Sequence, residues 1–272
     1  MTPEGEQHLQ RLLAALPQIK ESINEFTLKT FRCRGGRLGS GMGGLLEGLW
    51  GFYARSVLSA SSPDAYDIAW IPNHAYNDFA LLDAAEAWDP ETGGGVIFGI
   101  EAKSMNLGAD ETKGHFDVLQ SQLAEDDQLL VIVWRWTAVD GTAADEAAAV
   151  VYPEVVDQFI GPALEIAMLR DALHEARGGT FVAAGSCPDS CPTATCAHIG
   201  EPLNSSGVRE RRTGPEAARG SKTSYQANFG GLKRMVAARA DARPVLDEQM
   251  AQSEVRRAYV EFVRSFPSLF SS

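Results

Sequence analysis

The stretch Val96-Ile97-Phe98-Gly99-Ile100-Glu101-Ala102-Lys103-Ser104 decides how this chain is read. It rises from the turn Gly93-Gly94-Gly95, runs apolar, and ends in Glu-Ala-Lys. Alternate residues of a strand share a face, so Glu101 and Lys103 project together from an otherwise apolar strand. Two charges in such a place are costly unless they pair or hold something. A second Glu-x-Lys, Glu111-Thr112-Lys113, follows Gly108-Ala109-Asp110 and reads as an acidic helix start with a solvated surface pair. The apolar run and its bounding turn set the first occurrence apart.

Asp78-Phe79-Ala80-Leu81-Leu82 reads as the preceding strand, joined through Asp89-Pro90-Glu91-Thr92 and the three glycines to form a hairpin. A turn centred near Thr92 would set Asp83 across from Glu101. A longer irregular loop over 84–95 would bring Asp78 there instead. Pro90 and the glycines favour the longer loop. Asp78 is therefore the preferred partner of Glu101, with Asp83 as the alternative and a turn- or helix-capping role as the plain reading.

Outward from the hairpin, residues 6–30 have helical periodicity, with Pro17 expected to divide or kink them. Residues 45–58 predict a second helix with one apolar face, and 67–71 a short strand. A helix is expected over 109–124. Leu129-Leu130-Val131-Ile132-Val133-Trp134-Arg135-Trp136 predicts a strand central to a sheet. Residues 148–152 suggest a further strand, followed by a long helix over 153–176. Residues 185–228 are rich in Cys, Pro, Ser, Gly and Arg and read as a loop or insert, with helix returning over 229–241 and 244–266. The expected fold is α/β, with helices on both faces of a mixed sheet. The expected organisation is a core over 1–178, a Cys-rich basic insert over 179–228, and C-terminal helices over 229–272.

The 272 residues suffice for a sizeable core, and 44% hydrophobic with 22% charged residues is the composition of a soluble globular protein. No apolar run reaches the roughly 18 residues of a membrane span. The acidic opening Met1-Thr2-Pro3-Glu4-Gly5-Glu6 lacks the order of a signal peptide, so a cytoplasmic protein is expected. The net charge of −12 argues against a simple basic coat for nucleic acid. Residues 205–243, however, carry nine Lys/Arg against three Asp/Glu. An acidic body with one basic segment is compatible with DNA binding through that segment, or with a solvated loop.

A carboxylate beside an ammonium, with a second carboxylate from another element, can hold Mg²⁺ and a water at a phosphodiester. Mg²⁺ takes oxygen ligands and commonly only one or two protein carboxylates. Glu101 would supply one, Ala102 its carbonyl, and Lys103 would orient or deprotonate the attacking water. In these residues the chain resembles the PD-(D/E)XK nuclease superfamily, with Asn77-Asp78 standing for Pro-Asp and Glu101-Ala102-Lys103 for (D/E)XK. The resemblance covers roughly residues 40–140 and departs at Asn77, where the namesake motif has Pro. It implies a three-layer α/β/α, restriction-endonuclease-like core and Mg²⁺-dependent hydrolysis of double-stranded DNA to 5′-phosphate and 3′-hydroxyl ends. It also suggests Glu47, on the helix before the hairpin, as a further acidic site residue. At that position a carboxylate equally suits the helix dipole. A homodimer would fit cleavage of both strands.

Cys187, Cys191, Cys196 and His198 fall within 12 residues separated by Pro, Ser and Thr, with no apolar periodicity. Three thiolates and an imidazole suit a structural tetrahedral Zn²⁺ site, which could fold an insert lacking its own core. Reduced thiols in a loop are the alternative, and Cys33 reads as an ordinary thiol. Arg209, Arg211, Arg212, Arg219 and Lys222 follow directly, suggesting an arm for phosphates or guanine edges.

Other readings are weaker. Gly39-Ser40-Gly41-Met42-Gly43-Gly44 satisfies G-x-G-x-x-G, but the polar segment before it makes a poor upstream strand. The histidines form no catalytic cluster. A structure-specific repair nuclease, or a non-catalytic zinc-containing DNA-binding protein in which Glu101 and Lys103 form a buried structural pair, remain alternatives.

Overall fold

The computed structural model describes residues 3–34, 41–61, 66–71, 77–108, 116, 120, 123–140, 149–176, 236 and 242–266. The chain divides into two compact units, residues 1–111 with 124–163, and residues 112–123 with 164–271.

The first unit is a mixed six-stranded sheet with helices. Its elements are α1 (Pro3–Thr30), β1 (Cys33–Arg34), α2 (Met42–Ser61), β2 (Tyr66–Trp70), β3 (Phe79–Asp83), β4 (Val96–Asn106), β5 (Gln128–Ala138) and β6 (Val150–Pro162). The order across the sheet is β1-β6-β5-β4-β3-β2. Every neighbouring pair is antiparallel except β4 and β5, which run parallel. Leu129 to Val133 on β5 have no exposed surface, as expected of an interior strand buried on both faces.

One face of the sheet packs on α1 and α2. Leu12, Ile19 and Ile23 of α1 and Leu46, Trp50 and Ala54 of α2 meet Phe98, Ile100 and Ala102 of β4 and Leu130 and Ile132 of β5. Helix α1 runs unbroken through Pro17. Buried Leu9 and Leu12 before the proline and Ile19 and Ile23 after it hold both halves in the same core, which offsets the hydrogen bond that proline removes.

Strand β6 corrects one sequence expectation. Residues 153–162 were expected to be helical, yet β6 continues to Pro162, and helix begins only at Ala163. Val150, Val151, Val155 and Val156 supply β-branched side chains, and burial alternates along the strand. Pairing with β5 from Ala138↔Val151 to Gln128↔Pro162 outweighs the local helical pattern. A register shift occurs between Val133 and Trp134, opposite Val155 to Asp157. There Asn24 of α1 donates to the Val155 carbonyl (2.9 Å) and accepts from its amide (2.7 Å), and Lys20 donates to the Val156 carbonyl (3.2 Å). These bonds cover strand groups left open where β1 pairs only with Val150 and Val151.

In the second unit lie α3 (Ala163–Glu175, whose first residue closes the first unit), α4 (Arg243–Gln252) and α5 (Glu254–Arg264). The single helix expected over 244–266 is two, broken at Ser253, whose side chain caps α5 by accepting from the Arg256 amide. Arg256 is buried and ion-paired with Glu165 at 2.8 Å. Arg170, fully buried, donates to the Phe116 carbonyl (2.6 Å) and lies over the Phe116 ring. The expected helix at 109–124 lies largely outside the described residues. Wholly outside them are the insert with Cys187, Cys191, Cys196 and His198, and the arginine-rich arm after it. No helix among the described residues is long and apolar enough to cross a membrane.

Candidate active site

The site forms where β3 begins beside the middle of β4. Phe79 pairs with Ile100, and Leu82 with Val96 after a register shift between Leu81 and Leu82. The loop between the strands is long. It holds an Asp89↔Gly94 bridge, and Gly93 and Gly95 take positive φ values of 76° and 74°, which glycine adopts without strain. This irregularity sets the register. Asp83 falls at the far end of β3, where it pairs with Tyr66 and its carboxylate accepts from the Ala85 amide (2.8 Å). Asp78 stands next to Glu101. Its amide donates to the Ile100 carbonyl (3.1 Å), and its Oδ2 accepts from the Ala102 amide (2.9 Å).

Glu101 is buried, at 6% exposure, and Lys103 is partly buried. The Lys103 ammonium donates to Glu101 Oε1 and to the Ala102 carbonyl, the latter at 3.1 Å. Pairing is what makes two charges on an apolar strand tolerable. Even so, burial pushes the Glu101 carboxyl up to about 7. Lys103 opposes that shift, and the charges of Asp78 and Glu47 add to it.

Glu47 joins the group from α2. Burial raises its carboxyl to about 7 as well, reinforced by the Asp78 charge and opposed by Lys103 and by hydrogen bonds from the Ser104 side chain and backbone. Close approach of α2 to β4 makes the Ser104 contact. A Cβ on Gly43 would overlap Ser104 Oγ, so any larger residue there requires the Ser104 side chain to turn away. The glycine-rich run ahead of the helix therefore has a packing role at Gly43, and Ser104 is a site residue that the sequence pattern did not single out.

Asn77 and Asp127 were also not singled out as a pair. Asn77 Nδ2 donates to Asp127 Oδ1 (3.0 Å), and the two side chains close over Gly99, where a Cβ would strike both.

The arrangement collects three carboxylates, Glu47, Asp78 and Glu101, around one ammonium. Burial, with a lesser contribution from neighbouring carboxylates, raises two of the three to about 7. Among the described residues, no three His, Cys, Asp or Glu side chains converge closely enough to form a complete metal cage. A hard cation can take only one or two protein carboxylates, and Asp78 and Glu101 are the adjacent pair here. One oxygen each of Asp78 and Glu101 is engaged by Ala102 and Lys103, and an added positive charge would oppose the burial and the lesser repulsion that raise the two glutamates.

No protein-family model matches the chain, and neither a curated protein nor a solved structure proves similar to it.

Proposed function

We propose that the chain is a Mg²⁺-dependent endonuclease that hydrolyses DNA phosphodiester bonds through Asp78, Glu101 and Lys103, with Glu47 as a supporting carboxylate. The observation that carries this reading is the bracketing of Glu101 by Asp78, which bonds the backbone groups on either side of it, together with the Lys103–Glu101 pair. The strand arrangement is compatible with it: β2, β3 and β4 are antiparallel and β5 runs parallel beside β4 in one mixed sheet.

In this reading Asp78 and Glu101 would hold Mg²⁺, with the Ala102 carbonyl as a further oxygen donor. The cation would supply charge stabilisation at the phosphoryl oxygens and lower the pKa of a bound water. Lys103, as an ammonium, orients the attacking water, whose proton passes to solvent. Its charge also offsets that developing on the phosphate. The water oxygen bonds to phosphorus and the P–O3′ bond breaks, leaving a 5′-phosphate and a 3′-hydroxyl.

The same reading extends to a three-layer α/β/α core, a Zn²⁺-held insert at Cys187, Cys191, Cys196 and His198, a homodimer, and action in the cytoplasm. A non-catalytic DNA-binding protein is the second reading, favoured by one fact: the Lys103–Glu101 contact also satisfies a purely structural ion pair. Incubating the purified protein with plasmid, phage, flap and branched DNA, with Mg²⁺ or EDTA, separates these readings. Discrete Mg²⁺-dependent fragments from intact duplex support a restriction-type enzyme. Cleavage confined to flaps or branches supports a structure-specific one. Binding without cleavage of any substrate overturns the nuclease reading.

A further inference from the structure

We propose that Asn77, tethered to Asp127 across Gly99, is a positioning residue that aims the Asp78 carboxylate at the cation site. This inference rests on the nuclease reading above.

Asn77 directly precedes Asp78, so whatever fixes Asn77 fixes where the Asp78 side chain starts. Asp127 is a firm anchor. It is 5% exposed, its Oδ2 accepts from the Ala124 amide (2.8 Å), its amide donates to the Ala124 carbonyl (3.2 Å), and its carbonyl accepts from the Ala163 amide (2.8 Å). Its remaining oxygen, Oδ1, takes the Asn77 amide. The tether thus joins the residue before Asp78 on one side of β4 to the residue before Gln128 of β5 on the other. Gly99 leaves the room for it, two residues from Glu101 and on the same strand face.

The orientation of the Asn77 amide is dictated. Turning it over would set Oδ1 against the Asp127 carboxylate. As it stands, Oδ1 is buried without a hydrogen-bond partner. Buried polar groups are ordinarily satisfied, and an exception calls for a physical reason, a functional role among them. Asn77 gives up one hydrogen bond to keep the other. The bond it keeps joins the start of β3 to an immobile carboxylate beside the site. Residues that orient metal-binding carboxylates in this way commonly affect metal affinity itself.

The test is Mn²⁺ binding to the DNA-free protein, followed by electron paramagnetic resonance, with melting temperatures measured in EDTA. Asn77→Ala should weaken Mn²⁺ binding about 10-fold or more, the range found when such supporting partners are removed. Asp78→Ala should weaken it at least as much. The exchanged pair Asn77→Asp with Asp127→Asn rebuilds a carboxylate–amide bond in reverse and should bind Mn²⁺ within about 3-fold of the parent, well above the tenfold loss expected on removing the bond. If Asn77→Ala does not fold, the exchanged pair is compared with Asp127→Asn alone. Unchanged Mn²⁺ affinity in folded Asn77→Ala, or an exchanged pair no better than the single variants, overturns this inference and leaves the nuclease reading standing. A parent protein that neither binds Mn²⁺ nor cleaves DNA overturns both.

Discussion

Asp78 brackets Glu101: its amide bonds the Ile100 carbonyl and its carboxylate bonds the Ala102 amide, the two backbone groups that flank Glu101 on β4. One residue thereby leads into β3, extends the ladder with its side chain, and sets a second carboxylate beside the first. Lys103, two residues on, neutralises part of that charge.

Replacing Lys103 removes the ammonium without opening the core, because the side chain is only partly buried. Lys103→Ala is expected to lower single-turnover DNA cleavage by roughly 10²- to 10³-fold, the scale of a lost donor that stabilises developing charge. Binding of uncleaved duplex in Ca²⁺ should change far less. A cleavage rate within a few-fold of the parent would remove Lys103 from the reaction.

The raised carboxyls of Glu47 and Glu101 make stability depend on pH in a defined direction. Their ordinary value is 4.5 and their folded value about 7, so their protonated forms favour the folded chain. That contribution is fully present below about 4.5 and is lost as pH rises through about 7. In EDTA the melting temperature should therefore fall over this window, and Glu101→Gln should flatten the fall. Metal requires the ionised carboxylates, so stabilisation by Mg²⁺ should grow between pH 6 and 8. A Mg²⁺ effect independent of pH across that range would contradict the proposed ligands.

Gly43 lets α2 approach Ser104 closely enough for Glu47 to accept its hydrogen bonds. Gly43→Ala places a methyl group where Ser104 Oγ lies and is expected to displace that hydroxyl from Glu47. Cleavage should fall while thermal stability changes by only a few degrees. Ser104→Ala should push the Glu47 carboxyl higher still, moving the acidic limb of the cleavage profile to higher pH. An unmoved profile would take Glu47 out of the site.

Asn24 holds both backbone groups of Val155 at the β6 irregularity. Asn24→Ala leaves a donor and an acceptor without it, and is expected to cost about 2 kcal/mol or more in chemical denaturation. A loss under about 0.5 kcal/mol would mean that water replaces both bonds at little cost.

The two strands that frame the site, β4 and β5, were legible because each is a continuous apolar, β-rich run with no competing period. The preference for Asp78 over Asp83 rests on Pro90 and the glycines of the loop, whereas the bulge at Leu81/Leu82 that helps to set the register is encoded by no alternation pattern. Residues 153–162 were misread as helix because local pattern is silent about pairing with β5. The contacts of Ser104 with Glu47 and of Asn77 with Asp127 join residues about 50 or more positions apart, so only the folded chain displays them. Gly43 and Gly99, which resemble ordinary loop and strand glycines, are where those contacts pass.

The central claim is tested most directly by supercoiled plasmid incubated with purified parent protein and Glu101→Ala, each in Mg²⁺ and in EDTA, with folding checked by circular dichroism. The account predicts nicked and linear products from the parent in Mg²⁺ alone, carrying 5′-phosphates, and none from folded Glu101→Ala. Cleavage by Glu101→Ala at the parent's rate, or cleavage that persists in EDTA, would contradict it.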